Sequence, residues 1–279
     1  MGGRLNHAER KADGAPPAQV ADALQLLWRS SRALVRQARA RYTTDLLKWP
    51  HRREFDPLWR RVEYVPGWFH EGTGAVMYAL MRSQPPGTVV EIGSYLGRST
   101  VFFALALREV NPQGRVVAID PHTGDRQQLE ALSADRLPTF ELFRQHCRAA
   151  GVEDLVEARV ATSVEAAADW SGPVDLLYVD GWHSYDAVVA DGEAWLPHLS
   201  SQGVVVFDDY MTYDEVREGV HDLAARGLFQ LWGSIFGQAI GGVSAEPPVL
   251  LRRALLLSRG GLRRALGWPQ VHGPHPQAS

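Results

Sequence analysis

The sequence contains a single cysteine, Cys147, in 279 residues. One thiol can neither close an intrachain disulfide nor build a cysteine-based metal cluster, which excludes the covalent framework of small secreted domains. Lysine is almost as scarce: only Lys11 and Lys48 occur. A lysine general base is therefore missing from the main body of the chain. No uninterrupted apolar run is long enough to span a bilayer, and the opening MGGRLNHAERKADGAPPAQ has no apolar signal-like core. These absences favour a cytoplasmic protein with no membrane partner. Charge of one sign is not in excess either, since a formal charge of -3 and a pI near 6.4 give no global pull toward nucleic acid or anionic lipid.

What is present suffices for a large core: 45% of residues are hydrophobic and 22% charged, which suits one α/β domain with appendages better than two small domains. Residues 1–17, rich in Gly, Ala, Pro and charge, read as a disordered terminus. Residues 18–83 read as a helical extension. Within it, Val20, Leu24, Leu27, Trp28, Leu34 and Val35 recur at roughly helical spacing, and Arg29, Arg32, Arg36, Arg39 and Arg41 follow one another with no acid between Asp22 and Asp45. The expectation is a basic amphipathic helix that packs on the core or on a second subunit, giving a homo-oligomer. The segment from Tyr64 to Ser83 reads as a turn and a helix, with Gly67, Trp68 and Glu71 placed as a candidate lid.

From residue 84 to 245 the pattern alternates regularly. Strands are expected at Thr88–Ile92, Arg115–Asp120, about Leu155–Val160, Val174–Asp180 and Gly203–Asp209, and helices at Ser99–Val110, Thr139–Ala150, Tyr185–Trp195 and Asp214–Arg226. Near-continuous apolar strands between helices mark a parallel sheet covered on both faces, a doubly wound α/β fold. After the last helix, LFQLWGS and FGQAIGGV stand close together as a hairpin, so the mostly parallel, seven-stranded sheet ends with an antiparallel strand. Residues 246–279 hold a basic amphipathic piece, RRALLLSRGGLRRALGW, and a mobile tail.

The stretch VVEIGSYLGRST, Val89 to Thr100, is a strand that breaks into a glycine turn and re-enters a helix, a geometry that brings backbone close to a nucleotide-like ligand. Tyr95 takes the place of the second glycine of the dinucleotide fingerprint, so a pyrophosphate is poorly served. Three carboxylates, Asp180, Asp208 and Asp209, stand at the tips of two strands that should be neighbours. Clustered carboxylates repel, and a hard divalent cation with oxygen ligands, Mg²⁺ by default, relieves that cost.

Taken in order, EIGSYLGRST, AIDPH, YVDGWHSY and VVVFDDY make the chain resemble a class I S-adenosylmethionine-dependent methyltransferase of the metal-dependent O-methyltransferase branch. It is most similar there to bacterial macrolide-sugar and aminocoumarin-sugar O-methyltransferases, over about residues 65–243. The resemblance implies that Glu91, Gly93, Ser94, Tyr95 and Ser99 hold the methionine part and ribose of S-adenosylmethionine. It implies further that Asp120 takes the ribose hydroxyls, that Thr162 and Ser163 lie by the adenine, and that Asp180 borders both cofactor and metal. In related enzymes a lysine three residues after the strand-four aspartate is the general base. Here His183 stands at that position and can take a proton at neutral pH without a large shift. As general base, substrate-positioning group or metal ligand, it joins Asp180 as the expected catalytic pair. The acceptor is expected to be a hydroxylated small molecule, a sugar or another part of a bacterial natural product. Competing readings are an RNA methyltransferase, suggested by the terminal arginines but opposed by the overall acidity, a hydroxylase-like relative, and a non-catalytic binding module.

Overall fold

The runs TVVEI, RVVAI, VDLLYV and GVVVF leave no polar face for water, and strands of that kind are stable only when both sides are covered. The computed structural model describes residues 51–124 and 139–248 and shows that cover. Among the described residues the elements are α1 (Arg52–Val62), α2 (Glu71–Ser83), β1 (Thr88–Ile92), α3 (Arg98–Val110), β2 (Arg115–Ile119), α4 (Thr139–Ala149), β3 (Val156–Arg159) and α5 (Ser163–Ala168). They continue with β4 (Val174–Val179), α6 (Tyr185–Trp195), β5 (Leu199–Phe207), α7 (Asp214–Ala225), β6 (Gln230–Ile235) and β7 (Gln238–Gly242).

The seven strands form one sheet in the order β3-β2-β1-β4-β5-β7-β6. Strands β1 to β5 pair in parallel, and β7 runs antiparallel to both β5 and β6. The order reverses between β1 and β4, and open α/β sheets bind ligands at such a switch point, beyond the carboxyl ends of the strands. Strands β2, β4 and β5 stop one residue earlier than expected, or two for β5. Asp120, Asp180 and Asp208 therefore each occupy the first position past a strand. Their amides keep the ladder going, with Asp180 N donating to Ile92 O and Asp208 N to Val179 O, both at 2.9 Å.

Two cores sandwich the sheet. One joins Val89, Tyr178 and Val206 to Phe102 and Phe103 of α3, Tyr78 of α2 and Phe55, Leu58, Trp59 and Val62 of α1. The last four share one helix face at i, i+3, i+4 and i+7, which is why α1 lies down on the domain. Residues 52–83 thus share a core with the sheet. The opposite core joins Val90, Leu177 and Val205 to Val188 and Trp195 of α6 and Val220 and Leu223 of α7.

The expected basic helix of residues 18–47, the oligomer contact assigned to it, and the basic tail from Arg252 lie outside the described residues. Among the described residues no helix is long and apolar enough to cross a membrane, and Cys147 is a buried free thiol.

Candidate active site

The chain leaves β1 through a turn with three left-handed residues, Gly93 (φ 88°), Tyr95 (φ 45°) and Gly97 (φ 89°), closed by Gly97 N donating to Ser94 O at 2.8 Å. Glycine is required at 93 for a second reason: a Cβ there would lie 2.0 Å from the carbonyl oxygen of Asp180. The turn and the exit of β4 touch backbone to backbone. Asp120 ties the turn to the exit of β2, its Oδ2 accepting from Tyr95 N (2.8 Å) and its Oδ1 from His122 N (2.7 Å).

Glu91 is fully buried and accepts a hydrogen bond from Thr100 on Oε2. Burial pushes its carboxyl up to about 7, and the neighbouring Ser99 and Thr100 hydroxyls offset only part of that. Among the described residues Glu91 Oε1, Ser94 Oγ and Gln238 Oε1 are buried without a hydrogen-bond partner. Such atoms are rare in a finished fold and mark places where a further donor or acceptor fits.

Across the turn, β4 and β5 deliver the acidic side. Asp180, His183 and Asp209 each offer one ligand atom within 4.8 Å of the others, and His183 Nε2 lies 3.1 Å from Asp209 Oδ2. This set differs from the three aspartates expected. Asp208 turns into the sheet, where its Oδ2 accepts from the Tyr178 hydroxyl (2.5 Å) and its Oδ1 from Asp209 N (2.9 Å). Asp209 adopts φ 56°, a conformation found among strained functional residues.

Residues 90–210 match the family described as a methyltransferase domain. That match covers the strands and turns that build the site, from β1 to the exit of β5. The cofactor-bound Rv0187 from MTB superposes with a TM-score of 0.51 at 19% identity, covering 67% of this chain and 88% of that one. A candidate O-methyltransferase from Klebsiella pneumoniae gives 0.50 at 14% identity, covering 68% and 89%. At these identities the two establish a shared fold. The uncharacterized protein y4gI of Sinorhizobium fredii is 30% identical over 156 residues, 56% of this chain. The chain spans only 16% of the length of that relative.

Within the site the electrostatics follow from crowding. Burial, then the carboxylates of Asp208, Asp209 and Glu91, hold the Asp180 carboxyl well above the ordinary range. Burial also raises Asp208, while the Tyr178 hydroxyl pulls it back in part. Asp209 is the exception: burial would raise it, but the His183 hydrogen bond and charge outweigh that, and it is lowered. His70, just before α2, adds to the lowering of Asp209.

Two of the candidate lid residues reach the turn and the helix that follows it. Trp68, 57% exposed, sits 5.5 Å from the Tyr95 ring, Gly67 O accepts from Arg98 Nη1 at 3.3 Å, and Glu71 opens α2. Thr162 caps α5 in a reciprocal pair with Glu165, and the Ser163 hydroxyl accepts from Trp195 Nε1 at 2.9 Å. Both expected adenine neighbours have their hydroxyls engaged, while Val160 and Val164 beside them are exposed. Sequence reasoning missed those valines, His70, and Tyr213, whose ring stacks on His183 at 4.4 Å. A histidine before α2 and a tyrosine before α7 have no local pattern that distinguishes them, because only the fold brings them to the site.

Proposed function

We propose that this protein transfers the methyl group of S-adenosylmethionine to a hydroxyl of a small acceptor, with a divalent cation, Mg²⁺ by default, beside the acceptor. One observation carries the reading: the glycine turn of β1 and the Asp180–His183–Asp209 cluster meet in backbone contact at the switch point of the sheet.

The residues fit both groups. For the cofactor, the turn offers the unpartnered Ser94 hydroxyl, Asp120 stands beside it, and exposed Val160 and Val164 supply apolar surface for a base. Rv0187, which shares the fold, is a cofactor-bound structure, in keeping with this reading. For a cation, Asp180 and Asp209 are oxygen donors in an acid cluster whose repulsion already raises Asp180, with His183 beside them. A bound cation would hold the acceptor oxygen and lower the pKa of its hydroxyl.

The chain's own residues do the rest. Asp209, kept ionised, accepts from His183 Nε2–H, which leaves Nδ1 as the ring nitrogen able to take the acceptor proton. Asp180, between turn and cluster, fixes the separation of methyl donor and acceptor, and that placement supplies most of the rate. Exposed Trp68, whose ring lies against Tyr95 of the turn, and exposed Trp182, next to His183 in sequence, suit a sugar or ring-bearing acceptor, in keeping with the resemblance to sugar O-methyltransferases.

The test is calorimetry with S-adenosylmethionine, followed by product assays on catechol, methyl glucoside and methyl rhamnoside with Mg²⁺. Cofactor binding with oxygen-linked methyl product is expected. Absence of cofactor binding overturns the reading.

A further inference from the structure

His183 occupies the most demanding position in the proposed reaction, yet its side chain is 39% exposed. An imidazole on two rotatable bonds with that much solvent around it has several staggered states open to it. Its contact with Asp209 Oδ2 fixes one point of the ring and leaves the plane free to rock about that point.

Tyr213 removes the second freedom. Its ring lies over the imidazole with centroids 4.4 Å apart and only 8° between the planes. Tyr213 is itself placed by Asp209, whose carbonyl accepts from Tyr213 N at 3.0 Å and from Thr212 N at 2.9 Å. One residue thus holds the edge of the imidazole through its carboxylate and the ring that covers its face through its backbone. The left-handed φ of Asp209 belongs to this arrangement, since side chain and carbonyl must serve two partners at once.

We propose that Tyr213 is the positioning residue for His183, holding the imidazole in a single rotamer and tautomer with its proton-accepting nitrogen presented to the acceptor. The inference rests on the reading of His183 as the base. The aromatic face does this and the hydroxyl does not, because the recorded contact is a parallel stack. A flat ring without the hydroxyl serves equally, and a side chain of similar bulk without a flat face does not.

The test compares Tyr213→Phe, Tyr213→Leu and Tyr213→Ala with His183→Ala, using imidazole ¹⁵N shifts and, on whichever of the three acceptors is methylated, kcat and KM. Wild type and Tyr213→Phe are expected to show one Nε2–H tautomer for His183. The Leu and Ala variants should show a mixture and lose about tenfold in kcat, with unchanged affinity for S-adenosylmethionine. In the His183→Ala background, Tyr213→Ala should cost nothing further, as coupled residues are non-additive. A single tautomer in both Leu and Ala variants overturns the proposal, as does a loss in Tyr213→Phe equal to that in Tyr213→Leu. The Leu variant decides if the Ala variant does not fold. Full activity in His183→Ala overturns the reading of the base instead, and the tautomer measurement still judges Tyr213 separately.

Discussion

Gly93 and Asp180 are in contact through their backbones, so closely that a single added methyl on Gly93 would come within 2.0 Å of the Asp180 carbonyl oxygen. The contact joins the turn after β1 to the exit of β4, and so joins the proposed cofactor half of the site to its acidic half.

Gly93→Ala should therefore damage both halves together. The variant meets a left-handed φ of 88° and a backbone clash, for a cost of about 3 kcal/mol or more. Chemical denaturation should show that loss. Calorimetry on the folded fraction should show weakened S-adenosylmethionine binding. Wild-type stability would mean that the turn and the β4 exit are further apart than described.

Removing the Asp209 carboxylate takes away both a cation donor and the partner of His183. Asp209→Ala should weaken Mg²⁺ or Mn²⁺ binding by about tenfold or more. Asp208→Ala should act differently, since its oxygens face Tyr178 and the Asp209 amide. Its main effect should be lost stability and a repositioned Asp209. Equal loss of cation affinity with no loss of stability in Asp208→Ala would place Asp208 among the direct ligands.

The buried acids predict an unusual pH dependence of stability. Glu91 has its carboxyl raised from 4.5 to about 7, so between those values the folded chain keeps a proton that the unfolded chain has released. Stability must then fall as pH rises through this window, by about 3 kcal/mol at most for Glu91. Asp180 and Asp208 are raised too and act in the same direction. Thermal melts without added metal should show a lower Tm at pH 8 than at pH 5, and Glu91→Gln should raise Tm at pH 8 but not at pH 5. A flat profile would contradict the burial of a Glu91 that Ser99 and Thr100 offset only in part.

Much of this site could be read in the sequence because its main positions are local. The valine runs fix the strands, each run ends in an acid or a glycine turn, and the ends of parallel strands share one edge. The hairpin of β6 and β7 was legible in the same way, from two strand-like runs with only a short turn between them. Which oxygens converge was not legible, because the direction of Asp208 depends on Tyr178, thirty residues away in sequence. The stack of Tyr213 on His183 also joins residues thirty positions apart, through two loops whose sequences say nothing of each other. Thr162 and Ser163 stand where expected after β3, but capping and the Trp195 contact already use their hydroxyls.

The most direct test of the account follows the methyl group itself. Protein freed of metal is incubated with methyl-labelled S-adenosylmethionine and the hydroxylated acceptors, in excess chelator and then after Mg²⁺ is restored. The account predicts no labelled product with chelator and an oxygen-linked labelled methyl once Mg²⁺ returns, strongly reduced in His183→Ala. Full transfer in excess chelator, or label on an atom other than oxygen, would contradict it.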